Sequence, residues 1–427
     1  MKILFTGDVM LGRLVNDLLN RENCTYVWGD TLDIVRSADL SLINLECAIS
    51  SKGKKWDKTF KMFHFRANPK AIQVLRTAHI DYVSLANNHV LDYGIEALID
   101  TLDLLDKNKI AHSGAGRNIM EAIKPAVLRP KYKPTIYKPK SNQDAFRNAC
   151  NVNNTSDTVH SKGFLKNRFN HRYPNDNGIR VGIVSLTDNQ REWEACEKYP
   201  GINYVPINLS SSNKTHYHDR LKSCIANARS VSDIVIVASH VGPHFREFPS
   251  REYSDFAHSI LDWGADIYWG HSNHMPQGIE IYRKKIIMYD CGDFIDDYAV
   301  NPDYRNDLSF IFLLCLKEDY CITHSNCSAS NYGEYVNSNS SEDMRGTSLS
   351  NHHRNNVSDI EANRERPLLM GSIELIPTII SEFRVNMAYL EEADVAINRM
   401  VDRCDHLGTK CNVDTLRKRI VIPLSSW

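Results

Sequence analysis

Two imidazoles stand three residues apart in the stretch Gly270-His271-Ser272-Asn273-His274, directly after the strand-like run Ala265-Asp266-Ile267-Tyr268-Trp269. At that spacing both can reach one metal ion or two adjacent ones. A turn that follows a strand presents its side chains at the carboxyl end of a sheet, where α/β proteins bind their ligands. Alone, the pair would equally suit two surface histidines; the rest of the chain tips the balance. Asp8 follows the apolar run Lys2–Thr6, Asn44 and Glu46 follow Asp39–Ile43, Asn87, Asn88 and His89 follow Asp81–Ala86, and His240 follows Asp233–Ala238. Carboxylate, amide oxygen and imidazole form a borderline-hard ligand set, suited to manganese, zinc, iron or magnesium rather than copper(I) or an iron–sulfur cluster. One carboxylate shared between two ions about 3.5–4 Å apart makes a hydrolytic two-metal site. A purely structural reading fits poorly, because so many polar groups inside a core would each need a partner.

The elements that position these residues alternate. Strands are predicted over Lys2–Thr6, Asp39–Ile43, Asp81–Ala86 and Ile110–Ser113, with helices over Thr31–Ala38, Pro69–Ala78 and Ile95–Asn108 between them. The last helix carries Ala97, Leu98, Leu102 and Leu105 at helical spacing. The lysine-rich segment Ser51–Lys61 reads as a solvated flap, followed by a short strand at Phe63–Arg66. Further strands are predicted at Ile179–Leu186, Asp233–Ala238, Ala265–Trp269, Gly278–Tyr282, Lys285–Tyr289, Leu308–Leu316 and Ser372–Ile376, and helices at Leu221–Ser230, Ser254–Trp263 and Leu390–Cys404. Strand–helix alternation with chemistry at successive strand ends is an α/β pattern. Two polar stretches break it: about 130–176, with Lys/Pro repeats and then Asn/Ser-rich sequence, and 325–366, nearly devoid of core-forming residues. Both are expected to be insertions, the second disordered. The organisation expected is one domain over 1–320, completed by a strand and helix from 367–427.

Composition bounds the partners. Lysine plus arginine number 51 against 52 aspartate plus glutamate in 427 residues, which gives no electrostatic case for nucleic acid or an anionic membrane as the main partner. The 11 cysteines are an odd number with no CxxC pair, a pattern of free thiols in a reducing compartment. No apolar segment of signal-peptide length precedes the first strand, and no run of about 18 apolar residues occurs. A cytoplasmic protein without a membrane span is therefore expected.

The residues also carry a family resemblance. Gly7-Asp8-Val9-Met10-Leu11-Gly12-Arg13, Asn44-Leu45-Glu46, Ser84–His89 with Asp92-Tyr93-Gly94, Gly114–Asn118, Ser239-His240 with Gly242, and Gly264-Ala265-Asp266 leading to His271, His274, Gln277, Gly278 and Glu280 fall in one order. In them the chain resembles the capsule-synthesis CapA family, also called the poly-gamma-glutamate synthesis CapA/PgsA type, which is related to the calcineurin-like metallophosphoesterases. The resemblance spans Met1 to about Asp297. It implies a four-layer α/β/β/α sandwich with the site at one edge. It implies one or two divalent ions (manganese, zinc, iron or magnesium) held by Asp8, Glu46, Asn88, His240, His271 and His274, with Glu46 bridging. His89, beside Asn88, would act on the leaving group, and Arg13, Asn44, His244 and Asp293 would contact an anionic substrate, small or polymeric. Met10 stands where the wider superfamily has a histidine, and a thioether is a poor ligand for a hard ion. His244 and Asp293 stand where the family usually has Glu and Asn. The function implied is a metal-dependent hydrolase, phosphoesterase-like, using metal-activated water. The alternatives are an accessory protein of polyglutamate or capsule-type polymer synthesis that binds acidic polymer without turnover, or a scaffold with a structural metal.

Overall fold

The computed structural model describes residues 1–130, 179–207, 214–317 and 369–424. The expected insertions, about 130–176 and 325–366, lie outside these residues except for residue 130.

The sheet strands, in chain order, are β1 Lys2–Val9, β2 Leu40–Leu45, β3 Tyr82–Ser84, β4 Ala111–Ser113, β5 Ala126–Leu128, β6 Val181–Thr187, β7 Ile234–His240, β8 Ile267–His271, β9 Ile279–Tyr282, β10 Lys285–Met288, β11 Asp293–Ile295, β12 Leu308–Leu316, β13 Gly371–Ser381, β14 Arg384–Met387, β15 Asn412–Asp414 and β16 Arg419–Pro423. They build two sheets. One runs β15-β16-β13-β12-β1-β2-β3-β4, with β11 also on β1 and β14 on β13; the other runs β9-β10-β8-β7-β6-β5. The middle of each is parallel: β1 to β4 in the first, and β6, β7, β8 and β10 in the second.

Central strands are apolar at consecutive positions because both faces are covered. Ile3 and Phe5 of β1, Ile234, Ile236 and Ala238 of β7, and Ile267 and Trp269 of β8 point into one core between the sheets. The alternate residues Leu4, Val235, Val237 and Tyr268 join a second core with helix residues. Those come from Ala71–Thr77 and Gly94–Lys107 on one side, Lys214–Val231 and Arg251–Asp262 on the other. The period-two split of each strand between two cores is the signature of a four-layer α/β/β/α sandwich. Trp269 fastens the two sheets: its ring meets Phe5 edge-on at 5.4 Å, and its Nε1 donates to the Thr6 carbonyl at 3.1 Å.

Some elements depart from expectation. A helix at Arg13–Leu19 follows β1 directly. The helix expected over Thr31–Ala38 is found at Leu32–Ser37, and an unexpected 3₁₀ turn, Tyr26–Thr31, leads into it. β13 runs through Pro377, well past Ile376, in nine-residue register with β12. The C-terminal helix Leu390–His406 is no outer layer: Ala396, Ile397, Met400 and Cys404 enter the core between the sheets. It is pinned to the edge of the second sheet, with Arg403 Nη1 donating to the Pro276 carbonyl at 2.6 Å. Among the described residues no helix is long and apolar enough to cross a membrane.

Candidate metal centre

Parallel pairing aligns the strand ends. Asp8 lies opposite Asn44 across β1 and β2, and His240 opposite His271 across β7 and β8. The sheets face each other, so the two pairs converge. His271 Nδ1 is 3.0 Å from Asp8 Oδ1, which also accepts from Asn44 Nδ2 at 2.8 Å. That amide stands 3.3 Å from His240 Nδ1 and its oxygen accepts from Asn87 at 3.3 Å. The Asn44 side chain is thereby occupied in holding Asp8 and His240.

Glycine permits the closest approaches. A Cβ on Gly7 would sit 1.9 Å from the Gly292 carbonyl, and one on Gly270 1.9 Å from the Tyr289 carbonyl. The segment after β10 thus lies directly against β1 and β8, and it delivers Asp293. His274 Nδ1 is 2.8 Å from Asp293 Oδ1 and 4.0 Å from Asp8 Oδ2. Asp8, Glu46, His274 and Asp293 offer ligand atoms that lie within 4.8 Å of one another, a buried group that could hold a metal ion. On its other side Glu46 Oε1 is 3.8 Å from His240 Nε2, which meets Asn88 Oδ1 at 3.0 Å. Glu46 therefore faces two sets of ligand atoms at once.

The electrostatics fit a cation. Asp8 Oδ2, Glu46 Oε1 and Asp293 Oδ2 are buried with no hydrogen-bond partner, an arrangement that is costly without a positive charge. Burial first, then the charge of Asp8, pushes the Glu46 carboxyl well above its ordinary range. Burial and the neighbours Asp296, Asp8 and Asp290 do the same to Asp293. Asp8 moves the other way: burial would raise it, but the contact and charge of His271, with His240 and His274, hold it well below.

His89 borders this group. Its Nε2 is 3.9 Å from Glu46 Oε1, its Nδ1 is 2.6 Å from Asp92 Oδ2, and its ring stacks on Phe65 at 3.9 Å. Burial and the Lys61 charge lower its pKa well below the ordinary value. Asp92 also accepts from the Phe65 amide and pairs with Lys61 at 3.2 Å; burial pushes it up to about 7. Met10 is buried, its sulfur accepting from the Gly12 amide at 3.0 Å.

Two of the expected substrate contacts sit at the rim. Arg13 pairs with Asp297 at 3.3 Å and lies over the rings of Phe63 and Phe65. His244 stacks on His274 at 4.7 Å, with Nδ1 2.7 Å from the Ser272 carbonyl.

The sequence from residue 2 to residue 298 matches the family described as bacterial capsule synthesis protein PGA_cap. The chain belongs to the PGA_cap family. A probable polyglutamine synthesis accessory protein of Mycobacterium tuberculosis is 26% identical over 349 residues, covering 73% of this chain and 79% of that one. The capsule biosynthesis protein CapA of Bacillus anthracis is 25% identical over 293 residues, 68% of this chain and 58% of that one. The PGA biosynthesis protein CapA of Bacillus subtilis is 24% identical over 294 residues, 69% and 62%. A hypothetical protein of Thermus thermophilus is similar in structure at 14% identity, covering 90% of this chain and 96% of that one with a TM-score of 0.33.

Within the PGA_cap span, sequence reasoning missed several residues. Tyr298, the last residue of the match, donates its hydroxyl to Glu46 Oε2 at 2.9 Å. Asn273, between the two histidines, clamps their turn: its amide donates to the Arg246 and Met275 carbonyls, both at 2.8 Å, and its oxygen accepts from the Arg246 amide at 2.6 Å. The turn needs a clamp, because Ser272 at φ 101° and His274 at φ 61° both have positive φ, which L-residues resist. The available signal was an Asn in a turn between candidate ligands. Lys61 belongs to the segment expected to be a solvated flap, yet its side chain is 5% exposed and locked on Asp92.

Proposed function

We propose that this PGA_cap protein is a metal-dependent hydrolase acting on phosphoesters. The observation that carries the reading is the place of Glu46, shared between Asp8, His274 and Asp293 on one side and His240 and Asn88 on the other, with His89 facing the same oxygen. A divalent ion held there would polarise a phosphoryl oxygen and lower the pKa of water. Manganese, zinc, iron and magnesium all suit the donor set. Asp8, Glu46, His274 and Asp293 would hold one ion, and Asn88, His240 and His271, with Glu46, a second. Burial and the Lys61 charge disfavour protonation of His89, and the Asp92 contact at Nδ1 leaves Nε2 facing the site. That nitrogen can take a proton and return it to the leaving oxygen while Asp92 stabilises the imidazolium. Arg13 and His244 at the rim would meet the anionic remainder of the substrate. On this reading the protein is cytoplasmic, as the odd number of cysteines without a CxxC pair implies.

A second reading is favoured by the relatives, which are named for polyglutamine synthesis and for capsule or PGA biosynthesis: the same centre would bind acidic polymer without turnover. A panel of phosphomonoesters and phosphodiesters, run on protein reconstituted with manganese, separates the two. Turnover lost in Glu46→Gln supports hydrolysis. Metal-loaded protein that is inert across the panel yet binds polyglutamate supports the accessory role.

A further inference from the structure

The balanced total charge conceals a local excess. From Lys52 to Arg66 the chain carries Lys52, Lys54, Lys55, Lys58, Lys61 and Arg66 against Asp57 alone. Lys52 is paired with Asp100 at 2.8 Å and Lys61 is buried on Asp92. Lys54, Lys55 and Lys58 are exposed and make no ion pair with an acidic side chain among the described residues. Beside them stand large apolar side chains in water: Phe60 at 88% exposure, Met62 at 69% and Phe63 at 51%. Leu14, 49% exposed, extends the apolar face, its neighbour Arg13 lying 5.5 Å over the Phe63 ring. The loop is anchored just before its tip. Trp56 Nε1 donates to Thr59 Oγ1 at 2.8 Å, Thr59 donates to Glu192 at 2.6 Å, and Trp56 meets Trp193 edge-on at 5.5 Å. The exposure of Phe60 and Met62 is thus built into the loop.

We propose that this loop docks the protein on an anionic lipid bilayer. Phe60, Met62 and Phe63 would enter the boundary between headgroups and acyl chains, and Lys54, Lys55 and Lys58 would lie among the anionic headgroups. An acidic polymer in solution would match the lysines but leave the apolar tip in water; a bilayer surface accommodates both. The docking face adjoins the metal centre, since Phe63 stacks on Phe65 at 6.3 Å and Phe65 on His89. Docking therefore turns the mouth of the centre toward the membrane, whether or not the centre hydrolyses anything.

The test is co-sedimentation of the full chain with phosphatidylcholine vesicles, with and without phosphatidylglycerol. Binding is expected only to the anionic vesicles, weakening with salt. Each lysine replaced by glutamine should weaken it roughly fivefold, and Phe60→Ser with Met62→Ser and Phe63→Ser should abolish it while circular dichroism stays unchanged. A Phe63→Trp variant gives a separate readout, a blue shift of emission on vesicle addition. Wild type that ignores anionic vesicles overturns the proposal, as does a Phe63→Trp emission indifferent to them. Protein that instead binds soluble polyglutamate through the same lysines, without vesicle binding, replaces it with the polymer.

Discussion

Asp8, Glu46 and Asp293 put three carboxylates inside one buried shell, and each depends on its neighbours for a charge balance that the protein alone leaves short. Glu46 faces both sets of ligand atoms, so its neutral isostere should cost the most: Glu46→Gln is expected to lower divalent-metal affinity by more than the 10–100-fold typical of losing an outer partner. Metal content after manganese reconstitution, read by mass spectrometry, checks this. His89 touches the group from outside. His89→Ala should keep the metal and lower phosphoester turnover roughly 10²-fold, the usual weight of a positioned acid–base group. Retained turnover with retained metal would remove His89 from the proton path.

At the scale of the element, the turn Ser272–His274, with Ser272 and His274 at positive φ, is clamped by the Asn273 side chain among other contacts. Asn273→Ala removes its bonds to Arg246 and Met275 and takes away the side-chain donor of the buried Met275 carbonyl. A loss of about 2–4 kcal/mol in urea unfolding is expected, together with lower metal content, because His274 rides on the turn. The end of β6 gives a pH signature. Asp188 accepts from the Gly242 amide at 3.2 Å, and burial raises its pKa from 3.8 to about 6. The folded state then keeps a proton that the unfolded chain releases, so this group erodes stability as pH rises from 3.8 to about 6 and adds no further slope above. Asp188→Asn retains an acceptor and removes the titration. Its unfolding free energy, relative to wild type, should climb between those two pH values and then level off; a constant difference would show that Asp188 does not titrate as buried.

Across the whole molecule, β12 and β13 form a hairpin closed at its base. Leu316 lies opposite Gly371, and the Lys317 amide donates to the Met370 carbonyl at 3.0 Å. A hairpin of that geometry needs only a turn of about 2–5 residues. Replacing 318–368 with such a turn should give folded protein with wild-type metal content and melting behaviour. Loss of soluble folding would show that the insertion takes part in the fold. Removing β13 instead should be fatal, since it pairs with β12, β14 and β16 at once.

What the sequence by itself determined is whatever is local. Apolar runs such as Asp233–Ala238, ended by Ser239-His240, announce a buried strand with chemistry at its end, and the spacing of Leu98, Leu102 and Leu105 announces a helix face. The resemblance carried by Gly7–Arg13 and Ser84–His89 added the order of the layers. Only the tertiary structure decided which ends meet. Asp293 and Tyr298 join Glu46 because the segment after β10 passes within backbone contact of β1, across about 250 residues of chain, and no local pattern encodes that distance. The C-terminal helix has an ordinary amphipathic sequence, yet its apolar face fills the space between the sheets, because the strands beside it left that space open. Lys61 and Phe63 are near neighbours in one lysine-rich loop, but one is buried against Asp92 and the other half exposed. Composition gives the loop its charge; packing against Trp193 and His89 decides which of its side chains face inward and which face the solvent.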